Sequence, residues 1–127
     1  MSEKPRAIYF CDADDDMQQE CESIQRYLAK VVGLDIPVEL WERPPWRERF
    51  DILFFDWGGM SIGNSLLESF CGQIIENAED NPGRIYIMTS QFTSYAMKEA
   101  INELSNRPNN IYLSIEKAKL ALECLKV

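Results

Sequence analysis

The sequence contains no histidine among its 127 residues. This absence excludes Ser-His-Asp triads, histidine metal ligands and phosphohistidine chemistry. The four cysteines lie far apart and none of them forms a CxxC motif. In the absence of a secretion signal, we expect them to be reduced core residues of a cytoplasmic protein.

Long apolar runs and an excess of basic residues are also absent. No apolar run approaches the roughly 20 residues that cross a bilayer. The polar start, MSEKPR, lacks the apolar region of a signal peptide, so a membrane location is not expected. The net charge of −8 and the pI near 4.5 disfavour nucleic-acid binding, which needs a basic face. An acidic chain is better suited to divalent cations or a basic protein surface.

Strand-like and helix-like segments alternate along the whole chain. Short apolar runs predict five strands, at residues 7–11, 36–41, 52–55, 84–88 and 111–113. Apolar residues at helical spacing predict helices over residues 17–32, 66–78, 93–104 and 115–125. Gly33 is expected to end the first helix and Ser114 to cap the last. The segment ERPPWRER cannot form a regular helix, because Pro44 and Pro45 lie within it.

This alternation favours a single α/β domain over residues 1–127, with a short polar segment at residues 1–6. We expect three layers, in which a five-stranded and mainly parallel sheet carries helices on both faces. The helix between the second and third strands is expected to be missing, because the proline-rich segment takes its place.

Side chains with chemical potential follow the predicted strands, and ligands of such sheets gather at the carboxyl ends of the strands. These residues are Asp12, Asp56, Thr89, Ser90 and Ser114. Gly58 and Gly59 come soon after Asp56 and would let the loop pass close to a metal or a phosphoryl group. The sequence therefore predicts a polar site at this edge of the sheet.

The run DADDD holds four carboxylates within residues 12–16. Mg²⁺ prefers an octahedral shell of hard oxygens, typically one or two carboxylates with waters. Asp12, one of Asp14 and Asp15, and Asp56 can supply such oxygens. The alternative is that residues 14–16 only form a turn that caps the first helix.

Three short motifs, FCDADDDM, FFDWGGM and IMTSQ, resemble the receiver domain of bacterial response regulators. The resemblance covers residues 7–125 and implies a receiver or flavodoxin-like fold. In that family the aspartate after strand three accepts a phosphoryl group, acids after strand one hold Mg²⁺, and a hydroxyl after strand four contacts the phosphate. Carried over, these roles fall on Asp56, on Asp12 with Asp14 nearby, and on Thr89 followed by Ser90.

The chain departs from the receiver pattern in three places. Ala13 stands where receivers have a second acid after strand one. Leu113 or Ser114 stands where they have a lysine, and Lys117 is about one helical turn further along. The third departure is the missing helix. We therefore interpret the chain as a degenerate receiver without an output domain, which acts by protein–protein binding rather than catalysis.

Two tryptophans flank the four residues ERPP, at positions 42–45. Trp41 and Trp46 either cover the sheet surface that the missing helix leaves or form an aromatic patch. The nearby arginines, Arg43 first, favour a binding edge for a protein partner or a homodimer.

Two other functions remain open at this point. One is a working response regulator that is phosphorylated on Asp56 with Mg²⁺. The other is a small phosphatase, because YFCDADDD also resembles the opening of haloacid-dehalogenase-type enzymes. There, Asp12 would be the nucleophile, Asp14 the general acid and Thr89 a phosphate ligand. A flavodoxin-like flavin site is disfavoured, since DADDD would repel the phosphate of the flavin.

Overall fold

The structure, a computed structural model, describes residues 4–11, 17–56, 64–89 and 108–125. For residues 11, 17, 56, 64–68 and 70 it describes the backbone alone. The strands in these ranges are β1 Ala7–Cys11, β2 Val38–Trp41, β3 Ile52–Asp56, β4 Ile85–Met88 and β5 Ile111–Tyr112. The described helices are α1 Met17–Tyr27, α2 Asn64–Asp80 and α3 Lys119–Glu123, and α1 continues as a π-helical turn, Leu28–Val32.

The five strands form one sheet in the order β2-β1-β3-β4-β5. Every pair is parallel, so the prediction of a mainly parallel sheet is confirmed. All strands start at one edge, the amino end, and finish at the other, the carboxyl end. From β1 the chain goes to β2 on one side and then to β3 on the other, so the strand order switches direction between β1 and β3. Ligands are therefore expected at the carboxyl ends of these two strands.

Both faces of the sheet are buried, which explains why its strands read as continuous apolar runs. Alternate residues point to opposite faces. Tyr9, Phe54 and Ile87 belong to a core that α1 and α3 cover. Phe55 and Met88 belong to the opposite core, which α2 covers with three buried side chains, Cys71, Ile74 and Ala78.

The first helix ends as the sequence predicts. Gly33 adopts the left-handed conformation, with φ of 83°, and its backbone N–H donates to the Leu28 carbonyl. Glycine is favoured there because a Cβ would be strained at this φ. Val32 is buried, whereas its neighbour Val31 is 47% exposed and lies on the solvent side of the helix.

Two strands begin later than predicted. β2 begins at Val38 rather than at residue 36, because Pro37 has no N–H to offer to a strand partner. The Val38 N–H donates instead to the Gln25 side-chain oxygen at 3.0 Å. β4 begins at Ile85 because the Arg84 N–H closes a turn onto the Asn81 carbonyl at 3.0 Å.

The end of the chain is also less regular than predicted. β5 stops at Tyr112, and the last helix begins at Lys119 rather than directly after Ser114. Ser114 Oγ still accepts the Lys117 N–H at 3.2 Å, so this hydroxyl closes a turn before the helix. The inward positions are as predicted, with Ala118 and Leu122 buried.

Other predictions lie outside the described residues, including the helix at residues 93–104. The connection between β2 and β3, residues 42–51, is described throughout and contains no helix, as predicted. No helix in the described part of the chain is long and apolar enough to cross a membrane.

Candidate functional site

The carboxyl ends of β1 and β3 lie side by side. Cys11 is opposite Asp56 in the parallel register, and neighbouring strands lie about 4.8 Å apart. Asp12 directly follows Cys11, so the two predicted acids leave the sheet from adjacent strands. Asp12, Asp14 and Ser90 lie outside the described residues, and Asp56 is described by its backbone.

Thr89 lies at the same edge, directly after β4. Phe55 is opposite Met88 in the register, and the Thr89 N–H donates to the Phe55 carbonyl at 2.9 Å. The Thr89 hydroxyl donates to the same carbonyl at 3.2 Å. Thr89 is therefore level with Asp56, and its hydroxyl has to rotate away from Phe55 before it can donate to an anion held beside Asp56.

The end of β5 offers hydroxyl and apolar groups but no charge. Leu113 and Ser114 follow this strand, and both are half-buried. Lys117 is exposed, and the ammonium of Lys119 lies 3.9 Å from the Glu123 carboxylate. None of the five described strands contains a lysine or an arginine.

The magnesium site stays a prediction. Among the described residues, no group of three or more His, Cys, Asp or Glu side chains is arranged to hold a metal. Two of the three predicted ligands, Asp12 and Asp14, are not among those residues. Carboxylate oxygens from adjacent strand ends have the chemistry that Mg²⁺ prefers.

Cations cluster at the opposite, amino end of the sheet. Arg6 donates from Nε and Nη2 to the Glu39 carboxylate at 2.6 and 2.9 Å, and from Nη2 to Glu48 at 3.2 Å. The hydrogen bonds that Arg6 donates to the Glu39 carboxylate are the main cause of the raised pKa of its guanidinium. The same bonds lower the pKa of Glu39, against the opposing effect of partial burial. The Arg6 backbone N–H also donates to the Asp51 carboxylate at 2.8 Å.

A second polar group at the amino end is centred on Asn77 of α2. Its side-chain oxygen accepts the Tyr86 hydroxyl and the Arg84 guanidinium, the latter at 3.2 Å. Burial raises the pKa of Tyr86, and the Arg84 guanidinium opposes that effect. The Arg84 guanidinium carbon also lies 4.2 Å from the centre of the Phe50 ring. Sequence patterning did not predict either group, because single charged residues before strands carry no periodic signal.

Trp41 and Trp46 are both half-buried and pack against the core that α2 covers. Trp46 Nε1 donates to the Gln73 side-chain oxygen on α2 at 2.8 Å, and the Arg6 guanidinium lies 5.9 Å from the Trp41 ring centre. The tryptophans therefore cover part of the sheet surface themselves. Arg43 is exposed beside them, so the predicted binding edge still presents a charged side chain to solvent.

No protein-family model and no curated protein matches the chain. Its structure is similar to that of a CheY-like response regulator receiver domain protein from Methanospirillum hungatei. The TM-score is 0.57 at 18% identity, covering 95% of this chain and 96% of that chain. A protein described as pilus assembly-related, from Burkholderia pseudomallei, has a TM-score of 0.49 at 16% identity, covering 98% of this chain and 88% of that one. The first similarity confirms the predicted receiver fold.

Proposed function

We propose that this protein is a receiver-type signalling protein that acts mainly by binding a protein partner. The observation that carries the proposal is the end of β5, where Leu113 and Ser114 occupy the place of the expected lysine. A cation there would stabilise an acyl phosphate and couple it to the fold. Without it, phosphorylation of Asp56 is a weaker basis for signalling than a permanent binding surface.

The partner surface in this proposal is the segment between β2 and β3. Trp46 of this segment and Trp41 at the end of β2 are held by hydrogen bonds and packing, which lowers the entropy cost of presenting their exposed parts to a partner. Exposed Arg43 and Arg47 lie on the same segment. Tryptophan and arginine are the residues most enriched where partners bind strongly, and the arginines favour a partner that presents carboxylates, which can be a second copy of this acidic chain.

The alternative is a working phosphoacceptor, and Thr89 beside Asp56 is the observation that favours it. Mg²⁺ held by Asp12 and Asp56 would offset the charge of the carboxylate and the incoming phosphoryl group. Thr89 would then donate its hydroxyl to a phosphoryl oxygen. The β5 cation and the second of the two adjacent acids, which Ala13 replaces, are missing, and the other components of that chemistry have candidate residues in the sequence.

A phosphodonor experiment separates the two functions. The protein is incubated with acetyl phosphate and Mg²⁺, and its intact mass is measured beside Asp56→Asn. Asp35→Asn, on an exposed residue, is the matched control. We expect little or no adduct. An adduct that survives Asp35→Asn and is lost in Asp56→Asn would make the phosphoacceptor function the correct one. Ser114→Lys tests whether the missing cation at the end of β5 is the cause, because a lysine there is expected to increase adduct formation.

The binding edge is tested by a change that leaves the core intact. Arg43→Glu reverses an exposed charge, and Arg26→Glu on exposed α1 surface is its control. We expect Arg43→Glu to lose co-purified partners or to change the oligomeric state measured by light scattering, while Arg26→Glu does not. Identical behaviour of both variants and the parent protein would remove this edge from the proposal.

The phosphatase alternative requires Asp12 and Asp14, which lie outside the described residues. A generic phosphoester such as p-nitrophenyl phosphate tests it directly. Hydrolysis that Asp12→Asn abolishes and Asp56→Asn does not would favour an enzyme over a receiver.

A further inference from the structure

β2 lies at one edge of the sheet, with β1 on its inner side. In a regular strand the N–H and C=O of one residue point to the same side, and successive residues alternate between the two sides. The Val38 N–H donates to the Gln25 side chain at 3.0 Å, and the Val38 carbonyl accepts the Cys21 thiol at 3.1 Å. Val38 therefore directs its backbone groups away from β1, and by alternation Leu40 does the same.

The bonds on the other side of β1 give the same orientation. The Arg6 carbonyl accepts the Ile52 N–H at 3.1 Å, so Arg6 directs its backbone groups to β3, and the next residue, Ala7, directs its groups to β2. Ala7 is opposite Val38 in the register. In a parallel pair, only one of two opposed residues bonds to the neighbouring strand. Val38 therefore faces outward by this argument as well.

Leu40 is the part of this edge that stays open. Among the described residues, no side chain bonds to its outward N–H and C=O, whereas Gln25 and Cys21 of α1 cap those of Val38. The Leu40 side chain is half-buried and packs against the core on the α1 face. Free backbone groups at a sheet edge are a template for pairing with another strand. The pairing site on β2 is thus centred on Leu40.

A second copy of the chain fits this edge when its β2 runs antiparallel with Leu40 on the two-fold axis. Each Leu40 N–H then donates to the Leu40 carbonyl of the other copy. The two Leu40 side chains meet on the α1 face. On the opposite face, Glu39 of each copy lies opposite Trp41 of the other. The same surface is therefore used by both copies, as a two-fold interface requires.

The neighbouring registers are less favourable. Val38 opposite Leu40 would place the two Glu39 carboxylates opposite each other, and like charges in that position are destabilising. It would also displace Gln25 from the Val38 N–H. A shift in the other direction would pair Leu40 with Glu42, which lies beyond the end of β2. The charges and the strand bounds therefore favour the register centred on Leu40.

Glu39 enters this contact already paired with a cation. Arg6 donates to its carboxylate at 2.6 and 2.9 Å, and the same guanidinium lies 5.9 Å from the Trp41 ring centre. The carboxylate that meets Trp41 of the second copy therefore carries its own counter-ion. An arginine beside an aromatic face is itself attractive. The pairing thus brings no unpaired charge to the axis.

We propose that two copies of this chain form a dimer by antiparallel pairing of their β2 strands at Leu40. The five described strands of each copy then belong to one continuous sheet of ten. This inference rests on the proposed binding function, because it names a second copy as the partner. It places the contact at β2, from which the chain continues directly into the segment that carries Arg43 and Trp46.

A disulfide between the two copies tests the register. Hydrogen-bonded residues of antiparallel strands have Cα atoms about 5.5 Å apart, within the roughly 4.4–6.8 Å that a disulfide spans. Leu40→Cys is made with Cys124→Ser, because Cys124 is an exposed thiol. Val31→Cys with Cys124→Ser is the matched control, since Val31 is exposed on the α1 side. Under mild oxidation at micromolar protein, we expect covalent dimer about tenfold faster for Leu40→Cys. Equal rates overturn the proposal.

Leu40→Lys tests the dimer in the absence of a cross-link. Lysine is tolerated on an edge strand of a monomer, but two lysines opposite each other on the axis repel. Val31→Lys is the control, and circular dichroism checks that both variants are folded. By light scattering at about 100 µM protein, we expect dimers of the parent and of Val31→Lys, and monomers of Leu40→Lys. A dimer that persists in Leu40→Lys overturns the proposal.

A parent protein that is monomeric at this concentration also overturns the dimer. That outcome does not decide the proposed function, which the Arg43→Glu experiment tests separately. Loss of a co-purified protein in Arg43→Glu, together with a monomeric parent, would identify a different protein as the partner.

Discussion

The amino and carboxyl ends of the sheet differ in how they use charged side chains. At the amino end, Arg6 and Arg84 each bond to two or more partners on neighbouring segments. Asn110 reaches from the turn before β5 to the carbonyls of Ala78 and Asn81 at 3.1 Å each. At the carboxyl end, Asp56 ends β3 opposite Cys11, the residue that precedes Asp12 in the sequence, and the five described strands contain no lysine or arginine.

We therefore expect the two ends of the sheet to have different roles, the amino end in stability and the carboxyl end in binding. The amino end joins β1, β2, β3 and β4 by internally satisfied ion pairs and hydrogen bonds, so it gains little from an external ligand. In the described part of the chain, the carboxyl end presents the hydroxyl oxygens of Thr89 and Ser114 and no lysine or arginine within the strands, and acceptor oxygens are suited to a metal or a basic partner surface. We therefore expect substitutions to reduce stability at the amino end and to change binding at the carboxyl end.

The largest expected effect is that of Asn77→Ala at the amino end. It removes the acceptor of the fully buried Tyr86 hydroxyl and of the Arg84 guanidinium. An unsatisfied buried hydroxyl is costly, so we expect the free energy of unfolding to fall by about 2–3 kcal/mol in urea denaturation. The control is the double variant with Tyr86→Phe, in which much of this loss should be recovered because both partners are gone.

Arg6→Ala is expected to have the next largest effect. Its guanidinium bonds to Glu39 and Glu48 and lies over Trp41, but its side chain is 36% exposed, so solvent screening weakens these contacts. We expect a loss of about 1–2 kcal/mol in the same measurement. Arg26→Ala on the exposed face of α1 should stay close to the parent protein, and equal losses would show that Arg6 has no special role.

A pH effect follows from the lowered pKa of Glu39. A carboxyl group whose pKa is lower in the folded state stabilises the protein above its ordinary pKa, and this contribution is lost as the pH falls through the folded value. When the pH falls from about 6 to about 3, the free energy of unfolding of the parent protein should therefore decrease more than that of Glu39→Gln. The expected difference between the two decreases is less than about 1 kcal/mol. Glu76→Gln, on an exposed position of α2, is the control and should follow the parent curve.

Thr89→Val at the carboxyl end should have the smallest effect on stability. The hydroxyl bond to Phe55 is lost, but the Phe55 carbonyl keeps the Thr89 N–H as a donor. We therefore expect a loss of about 0.5 kcal/mol. A loss as large as that of Arg6→Ala would contradict the division between the two ends of the sheet.

Much of the fold could be predicted because strands that are buried on both faces of a sheet form continuous apolar runs in the sequence. The runs AIYFC and ILFF are apolar throughout, so β1 and β3 could be placed almost to the residue, with β3 extending one residue further to Asp56. The effects of Gly33, Pro44 and Pro45 on the backbone could also be predicted. Each of these residues permits or restricts backbone conformations at its own position, without contacts to distant residues. The order of these elements predicted a parallel α/β sheet, and the receiver fold was implied by the resemblance of three short motifs to that family.

Other features depend on contacts between distant residues. The start of β2 depends on a bond between Val38 and Gln25, and the position of Trp46 depends on Gln73, which lies 27 residues away. α1 and the segment after β5 lie close together on one face of the sheet, where Ser23, Thr89 and Ser114 line one cavity. Neither the spacing of residues nor the composition of the sequence encodes such contacts between distant segments.

The connection between β2 and β3 crosses β1 without a helix, and this has a consequence for dynamics. A helix must lose a ladder of hydrogen bonds to open, whereas this connection is held by side-chain contacts of Trp46, Arg6 and Arg84, by the buried Phe50 ring, and by the turn in which Glu48 N–H donates to Pro45. Its opening should therefore cost far less than global unfolding. In amide hydrogen exchange, residues 42–50 should exchange well before β1 and β3, so the edge offered to a partner can change shape while the sheet beneath it stays closed.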